Sequence, residues 1–133
     1  MRHTIKDVLT QEEADGLSGY LSFRNNIVSR LLDYVRLVAD VDISGEAYCR
    51  VEERKEGHPW HFDTGTNNHM LWCEWSASVL LTPPDKFTGG GFYFRDCGPL
   101  FHHLDLVLFS GDEHMVKRNS GGRKVLLMFL GEK

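Results

Sequence analysis

Two periodicities divide the chain. Between residues 26 and 40, Ile27, Val28, Leu31, Leu32, Val35 and Val38 recur at helical spacing on one face. Asn25 or Asn26 stands where an N-cap is wanted, so the pattern predicts a helix through about Asp40, with Gly45 ending the segment. Upstream, Thr10 and Glu13 have capping-box spacing, and a helix start is expected in "TQEEADGLSGYLSF". Residues 1–45 therefore read as helical. From Glu46 onward the period changes to two, with short apolar runs divided by turn residues. Candidate strands are "EAYCRVEE", "PWHFDT", "WSASVLLT", "GFYFR", "LDLVLF", "EHMVKR" and "RKVLLMFL". Between them lie "RKEGH", "TGTNNH", "PPDKFTGG", "FSGDE" and "NSGGR", all good turn material. Many short strands after a helical layer predict a mainly β (α+β) fold, a sandwich or jelly roll with helices packed outside.

Strand parity sorts the polar residues. Side chains at i and i+2 share a face, so "PWHFDT" as a strand projects His61 and Asp63 together, with Phe62 opposite. Two ligands from one strand need a third, and His114 in "FSGDEHMV", after an apolar strand and a turn, is the best candidate. Two histidines and one carboxylate with open positions form the facial set of non-haem Fe(II) oxygenases. The same donors suit a mononuclear zinc hydrolase using a metal-bound water. A non-catalytic jelly-roll binding module is a further alternative. An HxD pair alone is a weak signal, since most such pairs are surface polar residues.

The remaining histidines read as structural. His58, next to Pro59 and at an odd offset from His61, is expected in a loop. His102 and His103 are adjacent and point to opposite faces of any strand; with His3 and His69 they are expected to be solvated. Gly89, Gly90 and Gly91 read as a turn and a close-approach point between strands. No strand–glycine–helix context makes them a phosphate loop.

The same parity places Arg123 on one face with Val125, Leu127 and Phe129. An arginine on an apolar face needs a counter-charge. In "EAYCRVEER", Ala47, Cys49 and Val51 form the apolar face under the helices. Tyr48, Arg50, Glu52 and Arg54 then face the interior or its mouth. Arg50 either holds an acidic group of a substrate or pairs with Glu52 or Glu74, and the pairing is preferred. In "WSASVLLT", Ser76, Ser78 and Leu80 share a face.

From about residue 46 to 130 the chain resembles the 2-oxoglutarate- and Fe(II)-dependent oxygenases, in particular the prolyl-4-hydroxylase-like branch. The ordered features are "HFD" at 61–63, "SVLLTPPDKFTGGGFYF" at 78–94, "LVLFSGDEHMV" at 106–116, and Arg123 nine residues beyond His114. The resemblance implies a double-stranded β-helix (jelly roll) with N-terminal helices on the outer face of the major sheet. It implies one oxygenase domain over 1–133, with helical support in 1–45 and the β-helix core in 46–133. It further implies Fe(II) on His61, Asp63 and His114, and 2-oxoglutarate with its distal carboxylate on Arg123. Dioxygen is the second co-substrate, and hydroxylation is coupled to decarboxylation to succinate. Relatives commonly supply a tyrosine hydroxyl to 2-oxoglutarate near the position of Leu80, so Ser78 is the candidate donor here. Asp63 in place of Gly or Ala argues against a halogenase. Arg50 is the candidate contact to substrate, which is a small molecule or a peptide; the resemblance favours a prolyl residue.

Composition narrows the classes. A chain of 133 residues, 41% hydrophobic and 26% charged, is expected to fold as one domain without disulfide staples. A net charge of -4 with no Lys/Arg run argues against a nucleic-acid-binding face. No apolar run reaches the roughly 18 residues of a membrane span, and "MRHTIKDVLTQEEAD" lacks a signal core. Cys49, Cys73 and Cys97 are odd in number with no CxxC pair, so reduced thiols in a cytoplasmic protein are expected.

Overall fold

The computed structural model describes residues 2–40, 42–43, 47–63 and 71–132. Its first element is a strand where a helix is expected: β1 (Arg2–Ile5) pairs antiparallel with Leu106–Phe109. Four residues hold too little pattern to show this locally, and a partner distant in sequence decides it. The capping box at Thr10 is present and opens α1 (Gln11–Asp15). The Glu13 N–H donates to Thr10 Oγ1 at 3.1 Å, and the Thr10 N–H donates to Glu13 Oε1 at 2.9 Å. The helix lasts one turn before Gly16. In α2 (Asn26–Ala39) the Asn25 side chain caps the N–H groups of Ile27 and Val28, and Asp40 closes the helix in the left-handed region at φ 53°. Gly45, the expected stop, lies outside the described residues.

Arg30 of α2 clamps the Glu13 carboxylate with two hydrogen bonds of 2.8 and 2.9 Å. The guanidinium, followed by the Thr10 N–H, holds the Glu13 carboxyl down at about 2 against an ordinary 4.5. A folded-state value below the unfolded one stabilises wherever the unfolded group is ionised, so the contribution is complete above pH 4.5 and lost toward pH 2. Glu13→Gln should therefore unfold at lower urea than the parent at neutral pH. The difference should close as both are titrated from pH 4.5 to 2; a gap that persists in acid would show that charge is not its source.

The strands that follow are β2 (Ala47–Glu52), β3 (His58–His61), β4 (Trp75–Leu80), β5 (Thr88–Gly89), β6 (Phe92–Phe94), β7 (Cys97–Leu100), β8 (Leu106–Phe109), β9 (His114–Val116), β10 (Asn119–Ser120) and β11 (Val125–Leu130). Each strand expected from the sequence has a counterpart, though the ends differ: β3 begins at His58, one residue before "PWHFDT", and stops at His61. The short β5, β7 and β10 carry no alternation that marks them. Among the described residues the antiparallel strands form a five-stranded sheet in the order β1-β8-β4-β11-β2, a four-stranded sheet β3-β9-β6-β7, and the pair β10-β5.

Alternation gives the large sheet two working faces. On one, Cys49, Ala77, Val79, Leu106, Leu108, Leu126, Met128 and Leu130 share a buried cluster with Val28, Leu31, Leu32 and Val35 of α2. On the other, Val107 and Phe109 pack against Phe92 and Phe94 of the smaller sheet. A cavity of about 420 Å³ lies between the sheets, lined from both. The architecture is mainly β. All three cysteines are free, with Cys49 and Cys73 buried and Cys97 exposed, and burial pushes the Cys49 thiol up to about 12. No helix among the described residues is long and apolar enough to cross a membrane.

Candidate metal centre

His61 ends β3 and His114 begins β9, and the antiparallel register sets them opposite one another. Their ring centroids are 4.2 Å apart. Asp63 arrives by a route that parity does not describe: β3 stops at His61, and Asp63 lies in the bend beyond it. Its Oδ1 is 3.2 Å from His61 Nε2 and its Oδ2 is 3.2 Å from His114 Nε2. The three donor atoms lie within 4.8 Å of one another. Both rings are anchored from behind. His61 Nδ1 is 2.6 Å from the Pro59 carbonyl oxygen, and His114 Nδ1 is 2.9 Å from that of Asp112. Donation from each Nδ1–H leaves the Nε2 lone pairs directed at the common point, as a metal-binding imidazole needs. Aromatic neighbours fix the buried His114 ring, with Phe109 at 4.6 Å and Phe92 at 5.6 Å between centroids.

Electrostatics describe a site that wants a cation. Burial alone would raise the Asp63 carboxyl, but hydrogen bonds from His114 and His61 outweigh it and hold the group well below the usual carboxylate range. The hydrogen bond to Asp63 in turn raises His61. A divalent metal at the common point would take the place of these contacts between the Nε2 atoms and the Asp63 carboxylate. Two imidazoles and one carboxylate suit Fe(II) as well as Zn(II).

Farther along the cavity, Arg123 sits just before β11, on the face shared by Val125, Leu127 and Phe129. It is 6% exposed, its Nε has no hydrogen-bond partner, and no ion pair to it occurs among the described residues. Burial lowers its pKa to about 10. An unpaired buried guanidinium is costly, and an anion in the cavity would remove that cost. The glycine triplet makes room for it. At Gly90, φ is +74°, and a Cβ there would lie 2.6 Å from Arg123 Cδ.

Ser78 also lines the cavity, and its Oγ is 2.8 Å from His102 Nε2. The expectation of a solvated His102 is wrong, because the residue is 5% exposed. The segment before β8 docks on β4 through Leu80 N–H to His102 O at 3.2 Å and Leu104 N–H to Leu80 O at 3.0 Å, which carries the ring inward. His103 is half-buried, with Nε2 2.6 Å from Gln11 Oε1, and His3 lies within β1. His69 falls outside the described residues.

His58 likewise departs from expectation. It opens β3 instead of lying in a loop, and an irregularity in register between it and His61 lets both reach the cavity. Its Nε2 is 2.6 Å from Glu52 Oε1, while Arg50 holds Glu52 Oε2 at 2.7 Å. The Arg50–Glu52 pairing is thus present. Burial would raise the Glu52 carboxyl, but the hydrogen bond to His58 and the charges around it bring it down. Tyr48 and Arg50 face the cavity as parity predicts, whereas Arg54 is not in its wall and donates from Nε to the Gly57 carbonyl at 2.8 Å. Glu52 and His58 are site residues that no motif marks; the one signal is the inward parity of Glu52.

No protein-family model and no curated protein sequence matches the chain. Solved structures do. A Pseudomonas putida prolyl-4-hydroxylase superposes with a TM-score of 0.65 at 14% identity, covering 99% of this chain and 85% of its own. A Trichoplax adhaerens prolyl hydroxylase, in complex with a peptide of the hypoxia inducible factor oxygen degradation domain, gives 0.64 at 14% identity over 98% of this chain and 83% of that one. This chain has the fold of the 2-oxoglutarate/Fe(II) oxygenases. A third such structure, an oxidoreductase of the 2OG-Fe(II) oxygenase family from Burkholderia pseudomallei, gives 0.54 at 16% identity. The match covers 82% of this chain and 54% of that protein, so the chain spans about half its length. The resemblance carried by residues 46–130 is therefore present in the fold, and on that oxygenase fold the three-donor cluster stands on its own geometry.

Proposed function

We propose that the protein is an Fe(II)- and 2-oxoglutarate-dependent dioxygenase, a hydroxylase of prolyl-4-hydroxylase type. One observation carries the reading. Three metal donors and an unpaired buried arginine face the same cavity, one suited to a divalent cation and the other to a carboxylate. A zinc hydrolase would use the cluster and leave Arg123 without a role. When bound, iron and 2-oxoglutarate would supply the oxidation of a substrate C–H bond by dioxygen, with succinate and carbon dioxide as co-products.

The chain's own residues do the positioning. His61, Asp63 and His114 hold the metal, with backbone carbonyls orienting both rings. Arg123 takes the distal carboxylate of 2-oxoglutarate in a charge-assisted contact, and Ser78 adds a hydroxyl. Phe92, Phe109 and Val116 dry the wall beside the metal donors. Arg50, held by Glu52 on one side, keeps further guanidinium donors for an acidic group of the substrate. The peptide-bound Trichoplax structure supports a peptidyl substrate, with prolyl the first residue to test.

Anaerobic titration of Fe(II) and then 2-oxoglutarate into metal-free protein should give the visible charge-transfer band of the chelate. Succinate should form when oxygen is admitted. Absence of the band would rule out the co-substrate.

A further inference from the structure

His102 belongs to neither the three-donor cluster nor the cavity wall. Its ring is buried in the protein, and Ser78 stands between it and the cavity. The ring makes one hydrogen bond among the described residues, from Nε2 to Ser78 Oγ at 2.8 Å, and its Nδ1 is buried with no partner. Arg123 also leaves an unpartnered nitrogen, Nε, and shares the cavity wall with Ser78. One polar group with unmet hydrogen-bonding capacity therefore bonds to the Ser78 hydroxyl, and a second lines the same cavity as that hydroxyl.

The Ser78–His102 bond can run in either direction, and the two directions differ in what they present to the cavity. If Ser78 donates to Nε2, the ring proton is on Nδ1, and an N–H is buried with no acceptor. The Ser78 oxygen then shows only lone pairs to the cavity, which would repel an anion. If Nε2–H donates to Ser78 Oγ, a bare Nδ1 lone pair is left in the interior. An orphaned acceptor is commoner in folded proteins than an orphaned N–H. The Ser78 O–H is then free to turn into the cavity. With an anion present, the second direction satisfies Nε2–H, the Ser78 O–H and the Arg123 Nε–H together.

We propose that His102 is a positioning residue held as its Nε2–H tautomer, which fixes the Ser78 hydroxyl as a donor beside Arg123 for the distal carboxylate of a dicarboxylate co-substrate. The proposal rests on the 2-oxoglutarate reading of the site. It assigns the polarity of the carboxylate pocket to a residue that never touches the ligand. Burial, reinforced by the Arg123 charge, pushes the His102 imidazole down to about 3, so the ring stays neutral and keeps one N–H. Arg123 provides the charge, and the neutral ring behind Ser78 provides the direction.

Two measurements on zinc-loaded protein test this. In multiple-bond proton–nitrogen spectra of labelled protein, assigned through ring-carbon correlations, the His102 proton should reside on Nε2; a proton on Nδ1 would overturn the proposal. Calorimetry should show Ser78→Ala weakening 2-oxoglutarate about tenfold, as expected for one hydrogen bond to a charged group. His102→Leu should cost a similar factor, and the double variant no more than Ser78→Ala alone, because the histidine acts through the serine. His102→Gln should retain most of the affinity, since its amide can supply the lost N–H. Binding of 2-oxobutyrate, which lacks the distal carboxylate, should not change in any variant. Additive losses, or equal losses for 2-oxobutyrate, would make His102 a merely structural residue. Wild-type binding of 2-oxoglutarate with unchanged affinity in His102→Leu overturns this proposal alone. A wild type that binds Zn(II) but no 2-oxoglutarate overturns the co-substrate reading with it.

Discussion

Asp63→Ala is expected to weaken Fe(II) binding by at least about a hundredfold, because even an outer-sphere partner of a metal ligand costs 10- to 100-fold. Asp63 is the one anionic member of the three-donor cluster, and its two oxygens each meet one imidazole at 3.2 Å. Without it, two neutral rings remain to bind a dication in a half-buried site. His61 would lose the hydrogen bond that raises it, so the variant should also release fewer protons when metal is added. Competition against a chromophoric chelator under anaerobic conditions measures the first effect, and weakly buffered calorimetry measures the second. Equal Fe(II) affinity in parent and variant would remove Asp63 from the ligand set.

The second large effect has two signs. Arg123→Met should reduce 2-oxoglutarate affinity by roughly two to four orders of magnitude, since two charge-assisted hydrogen bonds at about 1.5–3 kcal/mol each are lost. The same change should raise the thermal midpoint of the ligand-free protein, because an unpaired buried cation gives way to an apolar chain of similar length. Arg123→Lys should rescue affinity poorly, as a point charge does not reproduce the planar fork. Calorimetry and thermal melts with and without 2-oxoglutarate read both signs. A variant that binds normally, or that is destabilised when ligand-free, would mean that Arg123 has a partner other than the co-substrate.

The parts legible in the sequence are those whose local pattern and tertiary role agree. β2, β4, β8 and β11 alternate because one face meets the apolar cluster with α2 and the other meets the cavity or the smaller sheet. That alternation also exposed Arg123 as an arginine on an apolar face. His61, Asp63 and His114 could be proposed as a set from residue type and order. Strand parity does not by itself join His61 to Asp63, since a bend and not a continuing strand turns the carboxylate back. What stayed hidden depends on contacts between distant segments. β1 has four residues and a partner near the other end of the chain. His58 reaches the cavity through an irregular register with β9. His102 is drawn inward by a loop docking on β4. None of these has a periodic signature, because each is decided by where another piece of chain comes to rest.

The direct pairing of His61 with His114 also bears on folding. Among the described residues β3 is an edge strand of the smaller sheet, and β9 is its one neighbour there. A metal ion bridging that cross-strand pair would act as a clasp on the sheet's margin, converting binding free energy into resistance to fraying. In the metal-free protein β3 should be among the first strands to exchange its amide hydrogens, and metal should slow that exchange far more than exchange in β4 or β11. On this account, metal supply would set how long the smaller sheet stays closed.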